Sequence, residues 1–114
     1  MGVFPGEGGK VDYDAPWRLD ALGVPAAVMT DGPITNSSVL VNTAAEAVRE
    51  GMEPLDAMRL ITTNPAKILG IKERVGSIEV GKDADITVFD AQPLSDPRAQ
   101  VMMTIVDGQI AYRR

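Results

Sequence analysis

The chain has 114 residues, 11 of them basic and 16 acidic, for a formal net charge of −5, with neither histidine nor cysteine. That length suits one ordinary domain and falls well short of the roughly 250 residues of a complete (β/α)8 barrel. The acidic balance argues against a basic nucleic-acid face, and the lack of cysteine excludes disulfides, thiolate metal sites and a cysteine nucleophile.

Aromatic residues make up only 4% of the chain, so Ala, Val, Ile, Leu and Met must build the core. The opening MGVFPGEGGK lacks the apolar centre of a secretory signal. No apolar run approaches the ~20 residues of a membrane helix. The expectation is a soluble, cytoplasmic protein with no nucleic-acid or membrane partner.

Residues 1–13 read as irregular, because Gly2, Pro5, Gly6, Gly8 and Gly9 break regular structure. Asp14 is placed to cap a short helix with Pro16 in its first turn. Trp17, Leu19 and Leu22 would be its apolar contacts, and Gly23 its stop. Residues 24–30, VPAAVMT, form a short apolar run without alternation. Such runs suit a strand covered on both faces, as in parallel sheets. Asp31 ends the run, and Gly32-Pro33 force a turn.

Asn36, Ser37 and Ser38 are candidate N-caps for a helix reaching Glu50. Val41, Ala44, Ala45, Val48 and Met52 recur at helical spacing on its apolar side, and Gly51 ends it. Pro54 suits the first turn of the next helix, with Leu55, Met58, Leu60 and Ile61 as its stripe. Asn64 reads as a cap and Pro65 as the first helical residue of a short turn closed by Gly70.

After Gly70 the period changes from helical to alternating. Residues 76–80 and 84–89 read as strands around a Gly81-Lys82 turn. Asp96-Pro97 opens a turn or helical loop. Residues 101–106 and 109–112 read as a hairpin around Asp107-Gly108, a dipeptide suited to the positive φ angles of a type I′ turn. The chain thus divides into residues 1–72, α/β in character, and 73–114, a small antiparallel β unit.

Asp31 is the candidate for chemistry. A carboxylate at the C-terminal end of a parallel strand lies on the face where α/β enzymes work. The structural alternative is a carboxylate that caps its turn. Lys67, Lys82, Asp83 and Asp85 have structural readings, the two aspartates as acceptors for turn amides. Glu73, Arg74, Arg113 and Arg114 read as solvated charge. Trp17 and Tyr13 could line a pocket or anchor the first helix.

The run NPAKILGIKERVGSIEVGKDADITVFD at 64–90 resembles the closing segment of metal-dependent amidohydrolases related to imidazolonepropionase. GVPAAVMTDGP before it is similar to the last barrel strand of that superfamily, with its T-D-x-P end, and VDGQIAY follows in order. The resemblance covers residues 22–107. It implies an α/β fold: the C-terminal fragment of a distorted TIM (β/α)8 barrel, followed by strands of a small β-sandwich.

It further implies hydrolysis of non-peptide C–N bonds in cyclic amides or amidines, with a divalent metal, zinc foremost. Asp31 would be both metal ligand and general base. The family's other ligands are histidines, which this chain lacks, and Gly32 stands where close relatives often carry one. The expectation is therefore a chain that holds no metal and is inactive alone. Its own missing N-terminal portion, a second chain or a homo-oligomer would complete it for a small-molecule substrate. The alternative is a noncatalytic, truncated module that self-associates.

Overall fold

Four short helices precede a three-stranded antiparallel sheet in the computed structural model, which describes residues 15–114. The expected irregular start, the Asp14 cap and Tyr13 lie outside the described residues. Among the described residues no helix is long and apolar enough to cross a membrane.

Helix α1 spans Ala15–Ala21 and buries no residue. Its expected apolar contacts stay open: Trp17, Leu19 and Leu22 are all exposed. Polar contacts hold it instead, because Asp20 accepts from Asn64 Nδ2 at 3.1 Å and pairs with Arg59 at 3.4 Å. The reason is length: a seven-residue helix is marginal by itself and takes its place from whatever partner reaches it.

Residues 24–30 do not form a strand. Strand geometry needs a ladder, and among the described residues no neighbour offers one. What remains is a one-sided association. Ala26, Val28 and Thr30 are half-buried while Pro25, Ala27 and Met29 face outward. Val28 N–H donates to Leu60 O at 3.1 Å. The absence of sequence alternation therefore predicted two covered faces where this chain covers one.

Asn36 acts as the expected N-cap, its side chain accepting from Ser38 N–H at 2.9 Å. It caps a 3-10 turn, Ser37–Val39, that runs into α2, Leu40–Arg49. Glu53 and Pro54 start α3, Pro54–Arg59, with proline in the first turn, where its missing N–H costs nothing. Thr62 Oγ1 donates to Met58 O at 2.8 Å where α3 gives way to α4, Thr63–Ile68.

The core is a helical cluster. Ala44, Ala45 and Ala47 of α2 meet Met52, Ala57 and Leu60, with Val28, Val41, Val48, Met58 and Ile61 packed around them. Leu60 is fully buried, whereas Leu55, expected on the same stripe, is 75% exposed. Burying one leucine contributes about 1.5–3 kcal/mol. The small alanines let α2 and α3 approach closely. Leu94, from the loop after the first strand, joins this cluster, so the β unit supplies a side chain to the helical core.

The sheet has the order β1-β2-β3, with β1 Ile86–Phe89, β2 Val101–Val106 and β3 Gln109–Arg113. Ile86 faces Ile105 and Thr87 faces Thr104, with a register shift after Val88. Asp107 at φ 49° and Gly108 at φ 75° make the β2–β3 turn, as the Asp-Gly signal required. The expected strand over 76–80 does not form. Turn bonds take its surroundings instead: Asp83 N–H donates to Arg74 O at 2.8 Å and Lys82 N–H to Glu79 O at 3.2 Å. Ile78 and Val80 are exposed. The described β part is one sheet, and no second sheet faces it to complete a sandwich.

Candidate functional site

Asp31 lies on the surface, in the turn that follows residues 24–30. Its φ is 56°, the left-handed region. Aspartate is among the few side chains that visit this region readily, because its short polar group can bond locally. Asp31 O accepts from Ile34 N–H at 3.0 Å, which closes the turn, and the Gly32-Pro33 peptide is cis. The carboxylate has no hydrogen-bond or ion-pair partner among the described residues. Both oxygens can therefore accept from water or from another polypeptide segment.

The other candidates have structural roles. Asp85 Oδ1 accepts from the Asp107 amide at 2.8 Å, fastening the start of β1 to the hairpin turn. Asp83 pairs with Arg74 at 2.6 Å rather than with a turn amide. Arg114 donates to Gln100. A groove of about 410 Å³ is lined by Arg59, Lys67, Lys72, Lys82, Glu73 and Glu79, among others. Its charges are largely used internally: Lys72 meets Glu73 at 3.6 Å, Lys82 meets Glu79 at 3.2 Å, and Arg59 meets Asp56 at 3.0 Å. The Ser77 hydroxyl and then Lys82 hold the Glu79 carboxyl below its usual range. Asp31 does not line this groove.

One residue has a larger role than its sequence suggested. Asn64 was expected to cap α4, but Thr62 occupies that position. Asn64 is instead buried at 3% exposure. Its Nδ2 donates to Ala26 O at 2.8 Å and to Asp20 Oδ1 at 3.1 Å. No local sequence signal shows this, since both partners lie far away along the chain.

The sequence profile of the amidohydrolase family matches residues 11–111. The chain belongs to the amidohydrolase family. It is 35% identical to the amidohydrolase tasK of Hapsidospora irregularis over 91% of this chain and 10% of that protein. Identity to the imidazolonepropionase of Thermoplasma acidophilum is also 35%, over 85% of this chain and 25% of the relative. A solved amidohydrolase from Thermotoga maritima MSB8 superposes with a TM-score of 0.82 at 38% identity, covering 90% of this chain and 26% of that one. The chain thus spans about a quarter or less of the length of these relatives.

A divalent ion is the usual resident of amidohydrolase active sites. Among the described residues no three His, Cys, Asp or Glu side chains gather to hold one. A catalytic site of this kind needs about three protein ligands. Asp31 supplies a single carboxylate, and His and Cys are absent from the whole sequence. The residues present do not fit a resident metal.

Proposed function

We propose that this chain is the part of an amidohydrolase-family hydrolase of non-peptide C–N bonds that contributes one carboxylate, Asp31, to the active centre. The single observation that carries the reading is the unpaired, exposed Asp31 carboxylate, held on a left-handed turn inside a family match that runs almost end to end.

The relatives named above include an imidazolonepropionase, and another relative at 34% identity is the N-acetylglucosamine-6-phosphate deacetylase of Bacillus subtilis. Cyclic amides, amidines and N-acyl groups share one chemical need. Water must add to a carbon bonded to nitrogen, and the nitrogen must leave protonated. Asp31 accepts the proton of the attacking water and returns it to the departing nitrogen. Ligation of zinc or another divalent ion by Asp31 needs further ligands from outside this chain, so no step is built on it.

Exposed Leu22, Ile34, Ile78 and Val80 support a partner for this chain, whether a longer polypeptide, a second protein or another copy. They equally support the second reading, a noncatalytic module that self-associates. Asp31→Asn separates the two. In the polypeptide that carries this sequence, hydrolysis of a cyclic amide falls by about 10²-fold or more, the usual contribution of a general base. An unchanged rate would contradict the role of Asp31, and no turnover in any assembly would favour the noncatalytic module.

A further inference from the structure

We propose that Asn64 is a positioning residue for the segment that carries Asp31, working through a polar lock with Asp20; this rests on the Asp31 reading above. An amide nitrogen carries two hydrogens, and Asn64 Nδ2 uses both, on Ala26 O and on Asp20 Oδ1. Ala26 stands five residues before Asp31. Residues 24–30 have no sheet ladder to fix them. Val24 N–H donates to Leu19 O at their start, and nearer Asp31 two bonds from the α3–α4 side hold them: Asn64 to Ala26 O, and Val28 N–H to Leu60 O. Beyond them the closed turn from Asp31 to Ile34 carries the carboxylate. Moving the anchor therefore moves Asp31.

The residue types follow from the geometry. Asp20 is the acceptor, Asn64 the donor, and Arg59 the counter-charge, at 3.4 Å from Asp20 and 3.0 Å from Asp56. An apolar side chain at 64 would leave the Ala26 carbonyl and one Asp20 oxygen without a donor. A glutamine would need room for another methylene at a site that is 3% exposed. An aspartate would keep the shape but set two carboxylates against each other.

That last substitution is the test. Asn64→Asp keeps the volume and removes both donors. In hydrogen exchange on the 114-residue chain, the Val28 amide should exchange about tenfold faster or more once its neighbouring anchor opens. The Asp90 amide, bonded to Gln100 O at 3.1 Å, should keep its protection. The like charge of Asp20 raises the titration range of the new carboxyl, so lowering the pH protonates it and returns one donor. Protection of Val28, corrected for intrinsic exchange, should then recover towards that of the unmodified chain. Asn64→Leu, which fills the site but offers no donor at any pH, should lose Val28 protection and not regain it on acidification, whereas a space-filling role would leave that variant protected. Val28 protection that is unchanged, or lost only in step with Asp90, would overturn the lock.

In the hydrolytic polypeptide, Asn64→Asp should lower kcat by about tenfold or more at neutral pH while KM stays within about twofold, as a misplaced catalytic group does. An unchanged kcat beside an inactive Asp31→Asn would overturn the positioning role. Full activity of Asp31→Asn would instead refute the function assigned to Asp31, while the exchange result still decides the lock.

Discussion

Gly76 turns the backbone through φ 96° directly against α4. A Cβ there would lie 2.6 Å from Ala66 Cβ and 3.1 Å from Thr62 O. Two penalties combine in Gly76→Ala, a left-handed backbone and an overpacked contact, so we expect a loss of about 2–4 kcal/mol in urea unfolding. Gly108, at φ 75° with open space around it, carries only the backbone penalty of about 1–2 kcal/mol for the same change. Equal losses at the two positions would contradict the packing of residue 76 on α4. The sequence marked Gly76 only as a strand start, because a close approach from a distant helix leaves no local pattern. Asn64 departs from its expected capping role for a related reason. Its preference for helix starts is a local property, whereas its bonds to Asp20 and Ala26 depend on how three separate segments meet. The turn at Asp31 was legible, since Gly32-Pro33 ends the apolar run there and Asp31 O accepts from Ile34 N–H.

Among the elements, α2 and α3 carry the packing. Leu60 ends α3 with its side chain fully buried against the alanines of α2, and its carbonyl holds Val28. Leu60→Ala should cost about 2–5 kcal/mol, the range for a truncated core leucine, while Leu55→Ala, 75% exposed, should change stability by no more than about 0.5 kcal/mol. Thermal or urea unfolding of the two variants checks the ranking, and a similar cost for both would contradict the observed helix face. Elements set by neighbours in sequence were readable: the Asn36 cap, the Pro54 start and the Asp107-Gly108 hairpin all appear. Elements that need a distant partner were not. Residues 24–30 and 76–80 have the composition of strands but no ladder among the described residues.

At the scale of the molecule, the family was readable from the order and spacing of motifs, because that order reflects one long stretch of shared chain. The complete barrel and sandwich were not, since this chain spans about a quarter or less of its relatives. The surface is consistent with that proportion. Leu22, Ile34, Ile78 and Val80 are each at least 78% exposed. The donor set points the same way: among the described residues no cluster of three candidate ligands forms, and the sequence has no histidine, in a family that works with divalent ions. The most direct test is native mass spectrometry of the protein carrying this sequence, isolated from its natural source, with its metal retained. We expect an assembly larger than these 114 residues, containing histidine-bearing polypeptide and a bound divalent ion. A metal-free monomer of the 114 residues alone would contradict the account.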